Sequence, residues 1–167
     1  MNSINPRYEL LQRLRNYAEE AIHFKPSAEA WSICQVTDHC LVVAHEYLDA
    51  VEACATAESR EDSKTQFGAE LFERGGFPPI KITLPPDMNQ PPNNSLSREE
   101  LEVELVNLNM RMNEVEKKVA SIPSTNRVKH GGFGWLNASE WHSLVDMHFR
   151  HHERQLSELD LRMKGGL

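Results

Sequence analysis

The chain has 167 residues, a formal net charge of −7, 40% hydrophobic and 26% charged residues, ordinary values for one domain with a buried core. The acidic balance argues against a nucleic-acid backbone or an anionic membrane as the main partner, since both call for a basic surface. No apolar run approaches the roughly 20 residues of a transmembrane helix.

Taken in chain order, apolar spacing and capping residues predict four helices. The first opens at "NPRYELLQRL", with Asn5 as N-cap and Pro6 at the first helical position, where its missing N–H costs nothing. Leu10, Leu11, Leu14, Tyr17, Ala18, Ala21 and Ile22 form one stripe along it, and the alternation of charged and apolar positions leaves no expected signal peptide. The second follows Pro26 and Ser27 and runs from about Ala28 to Ala55, with Ile33, Val36, Cys40, Val43, Tyr47, Val51 and Cys54 on its apolar side. All three cysteines (Cys34, Cys40 and Cys54) lie on this helix. An odd set on one helix makes no disulfide framework; small buried thiols in a reducing cytoplasm are expected.

Residues 57–96 connect the second helix to the third. Their first part, "SREDSKTQFGAELFERGG", has room for a short helix, whereas "FPPIKITLPPDMNQPPNN" carries six prolines and cannot be continuous helix. A connection this long suits a crossover that lets helices two and three run parallel in a four-helix bundle, and residues 1–167 are expected to form a single domain. The third helix opens on "SREE", where Ser97 and Glu100 form a capping box. Leu101, Leu105, Leu108, Met112, Val115, Val119 and Ile122 follow at spacings of four and three, and Pro123 ends it. "HGGFGW" contains glycines but follows no predicted strand, so it is not a phosphate-binding loop. The fourth helix opens on "NASE", a capping box from Asn137 to Glu140, and runs to about Met163.

The fourth helix carries the chemistry. On a wheel of about 100° per residue, Trp141, Leu144, Val145, His148, His152, Gln155, Leu156 and Leu159 share an arc of about 120°. His148 and His152 thus stand one turn apart inside an apolar face, a spacing that lets two imidazoles chelate one ion. A single such histidine is more often a space-filling donor to a carbonyl. Two together with Gln155 would cost several kcal/mol without a partner, which favours a metal. A third ligand must come from another helix, and His39 in "WSICQVTDHC" is the best candidate. It borders the stripe of Val36, Cys40 and Val43, with Gln35 and Glu46 on its polar side; Cys40 and Glu46 could also reach an ion. His45 lies on another face, His142 points away, His151 sits at the edge, and His23 and His130 fall at an element's end and in a loop.

The segment "HGGFGWLNASEWHSLVDMHFRHHERQL", residues 130–156, resembles the C-terminal signature of the DinB/YfiT-like superfamily. The match comprises Phe133, Gly134 and Leu136, then Glu140 and Trp141, then His148, His151, His152 and Gln155. Trp31, Ser32, Gln35 and His39 are similar to the superfamily's segment on helix two. The segment most resembles a DinB-like domain-of-unknown-function branch, in much of which an acidic residue stands where this chain has Arg150, at a position expected to face solvent. The resemblance implies an all-α four-helix bundle of DinB-like type with a long connection between helices two and three. It also implies a divalent metal, zinc or nickel, on His39, His148 and His152.

Three neutral imidazoles leave coordination positions for water or substrate, the open geometry of a catalytic site. The resemblance further implies a cytoplasmic enzyme acting on a small molecule, either a hydrolase or an S-transferase using a low-molecular-weight thiol, and it leaves a homodimer open. Gln35 and Gln155 are candidates to orient the ligating rings through their other nitrogens. The alternative is a non-catalytic metal-binding or interaction protein in which the ion staples helices two and four.

Overall fold

In a computed structural model of the protein, residues 5–78 and 91–165 are described. The prolines at 79, 85 and 86 of the expected crossover fall outside them. The protein is mostly helical, at 64% helix. In order the elements are α1 (Pro6–Asn16), α2 (Glu19–Ile22), α3 (Ile33–Cys54), α4 (Gln66–Arg74), α5 (Arg98–Val119), β1 (Arg127–His130), β2 (Gly134–Asn137) and α6 (Ala138–Gly165).

The cap chemistry explains most helix starts. Asn5 accepts from the Arg7 N–H at 2.9 Å and Pro6 opens α1. Ser97 accepts from the Glu100 N–H at 3.0 Å while Glu100 accepts from the Ser97 N–H, starting α5. Asn137 and Glu140 make the same reciprocal pair at 2.9 and 3.0 Å, starting α6.

Two predicted helices need correction. The first is interrupted: Tyr17 is extended (φ −88°, ψ 146°), so the stripe from Leu10 to Ile22 is divided between α1 and α2. The interruption has tertiary partners. The Tyr17 hydroxyl donates to Asp160 on α6, and its carbonyl accepts from the Arg98 guanidinium at 2.6 Å. The second helix begins at Ile33 rather than about Ala28, because Ser32 forms a capping box with Gln35. Ser27 closes only a turn, accepting from the Ala30 N–H.

The four longer helices share one apolar core, in which Leu14, Ile33, Val36, Leu48, Leu101, Leu105, Leu108, Leu144 and Val145 are fully buried or nearly so. Hydrogen bonds fix their directions. The start of α3 meets the start of α5 through Ser32–Asn94 and Cys34–Leu96, and further along Arg111 donates to His45 and Asp49. These two helices therefore run parallel. Arg7 and Arg13 of α1 reach Asp146 and Asp160 of α6, so that pair is parallel as well. The buried Arg7 also donates to Asn109, tying α1 to α5.

A hairpin precedes α6, and "HGGFGW" does follow a strand. Strands β1 and β2 pair antiparallel with Val128 opposite Leu136 and His130 opposite Gly134. The glycine-containing segment turns back into β2 instead of entering a helix, so the strand does not create a phosphate loop. Gly134 has φ +86°, and a Cβ there would lie 2.5 Å from the Thr65 nitrogen, so only glycine fits. The close approach lets residues 63–65 add to the β2 edge: Thr65 N–H donates to Phe133 at 2.9 Å and Trp135 N–H to Ser63 at 3.2 Å. Lys64 pairs with Glu140, anchoring this segment to the start of α6.

Candidate metal centre

Helix α3 runs antiparallel to α6: Cys54 bonds Leu136 at one end of the seam, and His39 meets His148 and His152 towards the other. The capping box at Ser32 sets where α3 begins, and the packing of α3 on α6 sets which level of α6 His39 faces. His148 and His152 are stacked on α6 by their four-residue spacing.

The three rings point the same nitrogen at one another. His39 Nε2 lies 3.2 Å from His148 Nε2, and His152 Nε2 lies 3.2 Å from the same atom. All three potential ligand atoms are within 4.8 Å of one another. Gln155 Oε1 is 2.9 Å from His152 Nδ1. An amide oxygen accepts, so Nδ1 of His152 carries the proton and its Nε2 presents a lone pair to the cluster. His148 Nδ1 is buried with no hydrogen-bond partner among the described residues.

The environment keeps the rings neutral. Burial, then the proximity of His152 and His151, pushes His39 down to about 4. His148 falls well below its ordinary value, chiefly from burial, then from His152, His39 and His151. Burial also lowers His152, partly opposed by its bond to Gln155. Three uncharged imidazoles with converging nitrogens are a suitable donor set for a divalent cation, which requires unprotonated ligands. These three histidines could hold a metal ion.

An aromatic wall surrounds them. The Trp31 ring meets His39 edge-on at 5.2 Å, while Phe77 and Tyr47 lie 5.9 and 6.2 Å from His148. Tyr47 was readable from the sequence as core and Trp31 only as part of a motif. Phe77, in an irregular connection, had no periodicity to mark it.

The other candidates have different partners. Among the described residues the Gln35 side chain hydrogen-bonds elsewhere, accepting from the Ser32 N–H at 3.0 Å and donating to the Pro92 carbonyl at 3.1 Å. Cys40 is buried, its thiol pushed up by that burial, and lies outside the histidine group; Glu46 is exposed. His151 is half-buried, its ring 5.1 Å from His152. His45 bonds Arg111, His142 bonds the Met112 carbonyl and His23 bonds the Leu96 carbonyl. His130 ends β1 rather than lying in a loop, and stacks on Phe133 at 4.1 Å. Arg150 is exposed.

A family model described as the DinB superfamily matches residues 6–156, covering every element that bears on the histidine cluster. The chain belongs to the DinB superfamily. Its match extends from the start of α1 into α6 and includes Gln155. No curated protein and no solved structure gives a significant match. No helix among the described residues is long and apolar enough to cross a membrane.

Proposed function

We infer that this DinB-superfamily protein is a small divalent-metal-dependent enzyme whose ion, zinc or nickel, is held by the Nε2 atoms of His39, His148 and His152. The observation that carries the reading is the spacing of the nitrogens. Two ligands about 2.0–2.1 Å from a tetrahedral ion stand roughly 3.3–3.4 Å apart, close to the 3.2 Å separations from His148. No cysteine or carboxylate joins the three histidines among the described residues, so water or substrate would complete the coordination.

When bound, such an ion supplies Lewis acidity at neutral pH. Gln155 holds His152 in the tautomer that offers Nε2. Trp31, Tyr47 and Phe77 limit water around the cluster and suit the apolar part of a small-molecule substrate. The reaction classes we propose are hydrolysis and S-transfer from a low-molecular-weight thiol. For the second, the thiol would come from a co-substrate. All three cysteines are buried, and burial pushes Cys34 up to about 11 and Cys40 higher than usual as well. Free buried thiols also accord with a cytoplasmic setting.

The competing reading is a non-catalytic staple between α3 and α6, favoured by the low exposure of His148, at 8%. Elemental analysis of protein purified without an affinity tag tests both. One equivalent of metal per chain supports the site, and none contradicts it. Cobalt substitution then separates the readings: a visible spectrum that changes on adding a small thiol supports the enzyme. A spectrum inert to every added ligand establishes the staple.

A further inference from the structure

Helix α5 has a second seam. Its inward stripe, Leu101, Leu105, Leu108, Met112 and Val115, is buried in the core. On the opposite side Val103, Val106 and Met110 remain 53%, 42% and 62% exposed. Single exposed apolar residues are ordinary, but these three recur at spacings of three and four on one outward stripe. Glu99, Asn113 and Lys117, all exposed, extend it at the same spacing in both directions. The run Glu99, Val103, Val106, Met110, Asn113, Lys117 follows the alternation of a coiled-coil seam. A helix whose only task were to cover the core would carry polar residues there.

We propose that this face pairs with the same face of a second copy of the chain, the two α5 helices lying antiparallel about a two-fold axis. The stripe is self-complementary in that register. Val106 meets the second copy's Met110, Val103 meets its Asn113, and Glu99 meets its Lys117, and the axis makes each contact twice. A parallel pairing would set Glu99 against Glu99 and Lys117 against Lys117, which charge repulsion disfavours. Lys117 is free to turn, since its only ion pair among the described residues is with the exposed Glu114 on its own helix. Among the described residues helix α5 contributes no side chain to the histidine group, so the pairing uses none of its members.

Sedimentation of the full chain over a wide concentration range tests the proposal, and the expected species has twice the 19.1 kDa chain mass. Val106→Glu should raise the dimer dissociation constant by about a hundredfold or more, because two charges enter an apolar contact. Glu99→Lys and Lys117→Glu should each weaken it about tenfold, since the axis doubles the effect of each change. The double reversal, Glu99→Lys with Lys117→Glu, should restore parental affinity to within about twofold. These positions are exposed, so far-UV circular dichroism should match the parent. Met110→Glu replaces Val106→Glu if the latter misfolds. A chain that stays monomeric at every concentration overturns the proposal, including the case where the face serves a different protein. A dimer indifferent to both glutamates, or one the double reversal fails to restore, overturns it too.

Discussion

Helix α3 presents two different halves to its neighbours. From Leu48 to Cys54 its buried side chains are Leu48, Val51 and Cys54, each wholly inaccessible, and the Cys54 thiol meets the Leu136 carbonyl. Ten residues or so towards its start, the same helix sets His39 against His148 and His152, with Trp31 at the edge. One half is a buried apolar contact that holds the helices together. The other is a polar insertion whose nitrogens face one another, with His148 Nδ1 left unpartnered among the described residues. Burying such groups opposes folding unless something joins them. The apolar half holds the helices whether or not a cation is bound, and that division of labour can be tested from both sides.

The largest effect is expected at the polar half. His148→Ala removes the nitrogen that both other rings approach, and metal content should fall from one equivalent to none, with loss of any turnover. Retained metal in that variant, measured by elemental analysis, would contradict the three-ligand assignment. At the apolar half the outcome inverts. Leu48→Ala should lower unfolding free energy by about 2–5 kcal/mol through an unfilled cavity, with metal stoichiometry unchanged, as read by urea denaturation beside elemental analysis.

A third, smaller effect concerns pH in chelator-treated protein. His39 is pushed down to about 4 in the folded chain, against about 6.5 when unfolded, and His148 and His152 shift the same way. Between those values the unfolded chain binds more protons. The histidines' contribution is therefore intact above about pH 6.5 and is lost as pH falls towards 4. The difference in urea midpoint between pH 7.5 and 5 should be larger in the parent than in His152→Gln. Equal slopes would show that the rings do not titrate as their burial requires. Chelation itself should leave the helical circular dichroism intact, since the apolar core does not depend on the ion.

The smallest effect is expected at Cys40. Its burial without a bond to the cluster makes it a packing residue, so Cys40→Ala should cost roughly 1 kcal/mol and leave metal content unchanged. Release of metal by this variant would indicate a thiolate ligand and favour the closed staple.

Legibility in the sequence followed the range of the interaction. Ser97 with Glu100, and Asn137 with Glu140, act within one helical turn, so the starts of α5 and α6 could be read directly. The long connection implied parallel α3 and α5, and the contacts of Ser32, Cys34 and Arg111 agree. Ser32 with Gln35 was an equally local signal. Pro26 and Ser27 mask it by offering an earlier start, whereas the box itself lies at Ser32 and Gln35. The interruption at Tyr17 was not readable, since the partners that hold it, Asp160 and Arg98, are remote in the chain. The hairpin was hidden differently: its strands are only four residues each and draw support from residues 63–65 across a long gap. At the candidate site, His148 and His152 belong to one helix and were visible as a pair. Their approach to His39 depends on how α3 lies against α6.

The ion pairs of α1 have a consequence for how the chain assembles. Among the described residues, every long-range polar partner of this helix is distant: Asn109, Asp146, Ser157 and Asp160 lie 102 to 147 residues further along. During synthesis α1 therefore emerges before α5 and α6 and finds its docking surface only after they have left the ribosome. Such non-local closure slows folding, because chain entropy is lost before the contacts that reward it can form. Until then Leu10, Leu11 and Leu14 remain uncovered on the nascent chain, and that interval, more than the finished fold, is when the protein is exposed to aggregation.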